Sequence, residues 1–295
     1  MSTTAQSRKD TASRWFEELR NRICDAFEQL EYEQVTGPHA GVPAGRFELR
    51  KTTRGGDGKG GGGLMSVMRG GRLFEKVGVN ISTVHGTLSP MMIKAMAARK
   101  DIPDLADNPV FWASGVSLVA HMNSPKTPAV HMNTRMFWTP GASWFGGGAD
   151  LTPMVEVPED TAFFHDVLRK ACDKHDSAYY PKFKGWADDY FMIKHRNEPR
   201  GVGGIFFDDH DTGNWDADFA FTQDVGRAFL DAFLPITRKR RNQRWTEADR
   251  EGQLIKRGRY AEFNLVYDRG THFGLQSGHD PEAVLMSMPP VAKWP

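Results

Sequence analysis

The sequence has few cysteines, no long apolar run and almost no net charge. Cys24 and Cys172 are its two cysteines, and their separation matches neither a metal-binding nor a redox spacing. Two distant thiols offer no disulfide framework, so a reducing compartment is the simpler interpretation. No stretch of about eighteen apolar residues occurs, and residues 1–15 contain no apolar signal core. We therefore expect a soluble, cytoplasmic protein without a membrane span.

The nearly equal numbers of positive and negative residues exclude a strong electrostatic field around the whole protein. The 38 Lys and Arg residues against 37 Asp and Glu residues give a net charge of +1, which favours neither nucleic acid nor an anionic membrane. The basic run RKRRNQR at 238–244 suggests a nucleic-acid module, but a basic cluster at a helix end on a solvated face explains it better. Any acidic ligand must therefore be bound locally, and we expect no nucleic-acid partner.

Hydrophobic periodicity predicts strands in the middle of the chain and helices around them. Residues 1–10 are predicted to form a flexible tail, and residues 54–63 a glycine-rich loop that lacks the Gly-Lys-Ser/Thr ending of a phosphate-binding loop. Predicted strands cover 46–52, 64–68, 73–84, 110–122, 130–138, 200–207, 259–267 and 272–276; predicted helices cover 15–32 and 90–99, begin after Pro158, at Tyr180 and at Pro281, and run from 218 to a stop at Leu234-Pro235.

This order of elements indicates an α+β fold. Strands and helices do not alternate strictly, so a parallel doubly wound sheet is disfavoured. We expect a large, flat, mainly antiparallel sheet covered on both faces by helices, in one domain spanning residues 1–295. The strands at 110–122 and 130–138 are expected to be antiparallel neighbours, with their register left open by the loop between them.

The stretch from Val130 to Pro153 concentrates functional side chains. At a strand's two-residue period, His131, Asn133 and Arg135 share one face, while apolar side chains occupy the other. Three consecutive glycines, 146–148, then precede Asp150, which suggests a backbone that something bulky approaches closely. A cation, an imidazole, an amide and a carboxylate this close together suit an acidic ligand.

Several long motifs occur together and in order. They are FEKVGVNISTVHG at 74–86, MNTR and WFGGGADLTP within the stretch just described, YPKFKGWADDYFMIKHRNEPRGVGGIFFDD at 180–209, and RGRYAEFNLVYDRGTHFGLQ at 257–276. With them the chain resembles the oxygen-dependent coproporphyrinogen oxidases of haem biosynthesis, from about Phe47 to Trp294. The resemblance implies an enzyme that converts two propionates of coproporphyrinogen III to vinyl groups. Protoporphyrinogen IX, carbon dioxide and hydrogen peroxide are the implied products, O2 is the acceptor, and a homodimer on a flat antiparallel sheet is the implied assembly.

The resemblance also implies roles for three residues of the Val130–Pro153 stretch. His131 matches the proton donor, Arg135 is a candidate clamp for a propionate, and Asp150 is a candidate acceptor for the pyrrole N–H groups. Each residue type also has a structural interpretation that the sequence leaves open. These are a hydrogen-bonded histidine, an ion-paired arginine and a turn-capping aspartate.

Further residues match substrate contacts and metal ligands of the family. Ser117, Asn133 and Thr134 match substrate contacts, as do Gly278, His279 and Asp280, although Asp280 stands where the family pattern commonly has arginine. His121, His131, His165 and His195 match positions used for a divalent cation in bacterial members, but their spacing forms no compact ligand motif. No organic cofactor is indicated, and O2 is the implied co-substrate.

Two other functions remain open. A metal-dependent hydrolase could use the four histidines and Asp150, and oxygen uptake that requires coproporphyrinogen would separate it from the oxidase. A non-catalytic tetrapyrrole-binding protein would bind the ligand tightly without forming a vinyl product.

Overall fold

The computed structural model describes residues 4–55 and 59–295. In the described residues a seven-stranded sheet runs in the order β1-β2-β3-β4-β5-β6-β9, with every neighbouring pair antiparallel. Its strands are β1 (Glu48–Thr53), β2 (Gly61–Arg69), β3 (Phe74–Thr87), β4 (Val110–Met122), β5 (Ala129–Thr139), β6 (Ala142–Thr152) and β9 (Gly204–His210). The short strands β7 (Met192–Ile193) and β8 (Glu198–Pro199) pair separately.

Helices cover both faces of the sheet, which confirms the predicted α+β architecture. One face packs against α1 (Ala5–Glu33), α3 (Pro158–Asp173) and α5 (Trp215–Arg240), and α4 (Tyr179–Tyr190) packs against β9. The other face is covered by α2 (Pro90–Ala97), α6 (Glu247–Val266), α7 (Arg269–Gln276), α8 (Pro281–Val284) and a 3₁₀ turn at Leu285–Ser287. No helix among the described residues has the length and apolar character needed to cross a membrane. One domain over residues 1–295 stays a prediction.

The strand period decides which side chains face which layer. Val130, Met132 and Met136 of β5 are buried in the main core against the first helical layer. His131, Asn133 and Arg135 point to the opposite face, as predicted. The register that the sequence left open pairs Val119 with His131 and Ser117 with Asn133, so the polar faces of β4 and β5 adjoin.

Two predictions about flexible segments are partly wrong. The tail is helical from Ala5, because the Thr4 hydroxyl accepts a hydrogen bond from the Ser7 N–H and caps α1; residues 1–3 lie outside the described residues. In the glycine-rich loop, residues 61–63 already belong to β2, because β3 pairs with all three and β1 also pairs with Gly62 and Gly63. Residues 56–58 of that loop lie outside the described part of the chain.

The C-terminal strands that the sequence suggested are wrong. Residues 259–267 belong to α6, whose first turn is fixed by a capping box between Thr246 and Asp249. Residues 272–276 belong to α7, where the Asp268 carboxylate caps the first turn. The strand predicted at 200–207 begins only at Gly204, and α5 continues beyond Pro235 to Arg240. The last turns of α5 hold because Ile236, Thr237 and Arg240 are buried against neighbouring elements.

Candidate active site

A cavity of about 720 Å³ lies between the polar face of the sheet and α2, α7 and α8. Strands β1 to β6 and β9 all contribute side chains to it. Of the residues proposed from the sequence as substrate contacts, Ser117, Asn133, Arg135, His279 and Asp280 line it, as does His131, the proposed proton donor, while Thr134 borders it through its backbone. Its size and its mainly apolar walls suit a large, flat organic ligand.

A chain of hydrogen bonds runs along β5 at the cavity wall. The Arg135 Nη1 donates to Asn133 Oδ1 at 2.7 Å, and Asn133 Nδ2 lies 3.2 Å from His131 Nε2. His131 Nδ1 lies 2.8 Å from Asp150 Oδ1. Because an ionised carboxylate only accepts hydrogen bonds, Nδ1 carries the imidazole proton, and the unprotonated Nε2 accepts from Asn133 Nδ2 at the cavity wall.

Asp150 lies behind His131 and is not among the residues that line the cavity. Its side chain is 2% exposed, and Arg200 Nη2 lies 2.7 Å from both carboxylate oxygens. Burial favours the neutral acid, but Arg200 and His131 outweigh it and hold the pKa of Asp150 below its usual range. Asp150 is therefore an ionised, buried partner of the imidazole. The capping of a turn, its alternative interpretation, does not describe it.

Arg135 both lines the cavity and forms an ion pair. Its Nη2 lies 2.8 Å from Asp208 Oδ1, directly above Gly146. A Cβ on Gly146 would lie 2.8 Å from the Arg135 guanidinium carbon, so this glycine makes room for the ion pair. Burial opposes the charge on Arg135, but Asp208 outweighs it and raises the pKa of the guanidinium. The bulky neighbour that the glycines suggested is here the protein's own Arg135.

Other residues expected to contact substrate lie in structural roles or face the core. Thr134 alternates to the core face, where its buried hydroxyl finds no hydrogen-bond partner among the described residues. The Gly278 carbonyl accepts from the Gly55 N–H at 2.9 Å and ties the α7–α8 turn to the segment that follows β1. Asp280 binds Arg50 at 2.6 Å and caps α8 through the Glu282 N–H, so its carboxylate is occupied.

The four histidines that the resemblance implies as cation ligands are not brought together. His121 is buried, with Nε2 2.9 Å from the Ser287 carbonyl, and His165 binds the Val202 carbonyl and the Tyr180 hydroxyl. His195 contacts Tyr267 and Glu262, away from His131. In residues 4–55 and 59–295, no group of three or more His, Cys, Asp or Glu side chains could hold a metal ion. These residues do not fit a shared metal site.

Several site residues were missed from the sequence. Arg200 was assigned to a strand, Asp208 to a polar turn and Asp268 to a hairpin, yet all three line the cavity, as do Arg99 and Arg269. Asp268 caps α7 through the Thr271 N–H and accepts from the Tyr190 hydroxyl at 2.8 Å. The Asp-x-x-Thr spacing after an apolar run is an N-cap pattern that could have predicted α7 and placed Arg269 in its first turn.

The cavity combines the features that a polycarboxylate ligand requires. Arginine side chains bind carboxylates in a bidentate fork, and five of them, Arg54, Arg99, Arg135, Arg200 and Arg269, line the walls. Methionines line much of the rest, and their flexible side chains adapt to an apolar surface; they are Met65, Met91, Met92, Met96 and Met286. The His131 imidazole adds a proton acceptor at the wall.

The family model for coproporphyrinogen III oxidase matches residues 11–295. An oxygen-dependent coproporphyrinogen-III oxidase of Rickettsia bellii (strain RML369-C) is 50% identical over 286 residues, which are 97% of this chain and 98% of the relative. The proteins of the same name from Rickettsia conorii (strain ATCC VR-613 / Malish 7) and Rickettsia felis (strain ATCC VR-1525 / URRWXCal2) are 50% and 51% identical over the same shares of each chain.

Proposed function

The chain belongs to the oxygen-dependent coproporphyrinogen III oxidase family, and on this premise we propose that it decarboxylates two propionates of coproporphyrinogen III to vinyl groups. In each of the two steps one propionate leaves as carbon dioxide. O2 takes up two electrons and two protons and leaves as hydrogen peroxide. The product is protoporphyrinogen IX, an intermediate of haem biosynthesis.

The observation that carries this proposal is the connected row of side chains on β5. A carboxylate-binding cation, Arg135, and a proton acceptor, His131, stand four residues apart on one face of one strand, joined through Asn133. Both open onto a cavity of about 720 Å³. A tetrapyrrole with propionates is flat, apolar and anionic at its rim, and this arrangement matches each of those properties.

His131 and Asp150 supply the acid–base chemistry in this proposal. With substrate bound, a pyrrole N–H takes the place of the Asn133 amide at His131 Nε2. The Nε2 accepts its proton, which leaves an electron-rich ring to react with O2. Asp150 holds the imidazole in the required tautomer and stabilises its charge. The reduced oxygen takes one proton from the side-chain carbon next to the ring, whose C–H bond breaks as the vinyl group forms and carbon dioxide leaves, and a second proton from the imidazolium, so His131 is also the proton donor. A solvent proton then restores the pyrrole N–H. The substrate supplies the electrons, and no organic cofactor takes part.

Substrate binding falls to the remaining cavity residues. Arg135 binds a propionate carboxylate, while Ser117 and Asn133 contribute hydrogen bonds from the neighbouring strands. The α7–α8 turn closes the cavity with His279, and Gly278 and Asp280 hold that turn in place. Thr134 supports the strand from the core side.

A divalent cation has no step in this mechanism, because the four histidines bind separate partners. Elemental analysis of the purified protein, with activity assayed before and after chelation, tests this directly. A stoichiometric metal whose removal abolishes activity would contradict the mechanism.

A homodimer and a cytoplasmic location complete the proposal. Light scattering coupled to size exclusion should give twice the 33.1 kDa mass of one chain. Cell fractionation should recover the activity in the cytoplasmic fraction. A monomeric active enzyme, or activity in another fraction, would contradict the respective part.

The decisive experiment compares aerobic and anaerobic incubation with coproporphyrinogen III. Product is followed by porphyrin fluorescence after oxidation, together with oxygen uptake. We expect protoporphyrinogen only in air, with two O2 consumed per molecule formed. Tight binding without vinyl product would instead support the carrier protein, and hydrolysis without oxygen uptake would support the metal-dependent hydrolase.

A further inference from the structure

Three arginines converge on the Asp208 carboxylate at one end of the cavity. Arg135 of β5 lies 2.8 Å from it, Arg99 just beyond α2 lies 3.1 Å from it, and Arg269 in the first turn of α7 lies 3.7 Å from it. All four side chains line the cavity. One carboxylate therefore links the sheet to the end of α2 and the start of α7 on the opposite wall.

A β-bulge builds this cluster into the sheet. Phe145 pairs with His210 and Gly147 with Phe207, so two residues of β9, Asp208 and Asp209, face Gly146 alone. Asp209 adopts a left-handed backbone conformation, with φ of 51°, which is unusual for a residue with a side chain. Both neighbouring carboxylates consequently reach Arg99, whose Nη2 lies 3.8 Å from Asp209 Oδ1.

The arginines around Asp208 and Asp209 retain N–H donors that can bind a further anion. Three guanidiniums face two carboxylates, so at least one positive charge is not neutralised by a partner. Burial and the adjacent Asp208 raise the pKa of Asp209, which reduces the negative charge further. The Arg99 and Arg269 side chains are 38% and 44% exposed, and each contacts Asp208 through a single nitrogen. Most of their five N–H donors therefore remain available.

We propose that Arg99, together with Arg269, binds a propionate that the reaction leaves intact. This inference rests on the proposed function and specifies the orientation of its substrate. Decarboxylation removes negative charge from the departing carboxylate, so several guanidiniums around that group would stabilise the ground state more than the transition state. A cluster of arginines would slow the reaction there, whereas it anchors a retained propionate without such a cost.

Binding of substrate and product to an Arg99 variant tests the inference. Coproporphyrinogen III carries four propionates and protoporphyrinogen IX only the two retained ones. Under nitrogen, where no turnover occurs, we expect Arg99→Gln to weaken the binding of both ligands by the same factor, about tenfold. Arg99→Lys keeps the positive charge but cannot bind a carboxylate through two parallel hydrogen bonds, so it should weaken the binding of both ligands by a smaller factor. Equilibrium dialysis measures the six dissociation constants of the wild type and the two variants.

Arg238→Gln is the matched control, because Arg238 is 44% exposed and pairs with Glu33 outside the cavity. It should leave both dissociation constants unchanged. If Arg99→Gln weakens only coproporphyrinogen, the site holds a reacting propionate and the inference is wrong. Unchanged binding of both ligands would overturn the site itself. Failure of the wild-type protein to form product in air would instead overturn the proposed function, independently of these constants.

Discussion

At the scale of single residues, the site is organised by the environment of Asp150. The sequence suggested that this carboxylate meets the pyrrole N–H groups directly. In the fold, Arg200 covers both of its oxygens and His131 stands between it and the cavity. Its negative charge therefore reaches the cavity through the imidazole, in the manner of a residue that orients a general base.

Asp150→Asn should lower kcat at least 100-fold, a typical contribution of a general acid or base, because the imidazole loses its tautomer and its counter-charge. The same change leaves the buried Arg200 with its hydrogen bond to Asn264 but without a counter-charge, and should cost about 3–5 kcal/mol of stability. His131→Gln is the companion variant, because it leaves the Arg200–Asp150 pair intact. It should lose a similar amount of turnover with a much smaller drop in melting temperature. Steady-state kinetics and thermal unfolding measure both effects, and near-normal turnover in either variant would contradict the assigned roles.

At the scale of elements, tertiary packing overrode local sequence patterns. Tyr260, Phe263 and Val266 resemble strand residues, yet their segment lies in α6 because it buries Leu254, Arg257 and Ala261 on one helical face. Arg257 is fully buried, with Glu75 and the Met122 carbonyl as partners. No local sequence pattern predicts a buried arginine with partners this far away in the chain. The capping box at Thr246 was the one available local indication of this helix.

Gly146→Ala should disturb the bulged pair β6–β9. The added methyl would lie 2.8 Å from both the Arg135 guanidinium and the Asp208 carboxylate. We expect stability to fall by about 1–3 kcal/mol, as in overpacked sites, and KM for coproporphyrinogen to rise about tenfold.

Gly185→Ala provides the contrast, since nothing lies within 4 Å of the corresponding Cβ in α4. It should stabilise the helix by about 0.5–1 kcal/mol and leave KM unchanged. Urea unfolding and steady-state kinetics measure both variants. If the two substitutions changed stability and KM equally, the ion pair between Arg135 and Asp208 would not depend on having a glycine at position 146.

At the scale of the whole molecule, the C-terminal segment closes the cavity and is anchored by a buried histidine. His121 of β4 binds the Ser287 carbonyl at 2.9 Å and is 1% exposed. A carbonyl only accepts, so Nε2 carries the proton, while the buried Nδ1 has no hydrogen-bond partner among the described residues. Burial lowers the pKa of His121 to about 3.

This shift predicts acid lability of the fold. In the unfolded chain the imidazole takes up a proton below about pH 6.5, whereas in the folded chain it stays neutral down to about pH 3. Stability should therefore fall as the pH drops through this window. His121 should contribute a loss of about 2 kcal/mol between pH 7.5 and pH 5.

Urea unfolding of the wild type and of His121→Gln at both pH values tests this expectation. The variant should lose about 2 kcal/mol less than the wild type over the same interval. His85→Gln, at an exposed position of β3, should behave like the wild type. The same pH dependence in all three proteins would contradict the role of His121.

Periodicity and motifs were enough to predict the antiparallel sheet, the helical cover, the polar face of β5 and the family, because both are properties of neighbouring residues. Three features emerged only from the folded chain: the register of β4 on β5, the pairing of Asp150 with Arg200, 50 residues later, and the convergence of Arg99, Arg135 and Arg269 on Asp208. These contacts join segments far apart in the chain. Their geometry depends on a bulge, a left-handed residue and helix packing, none of which a local pattern encodes.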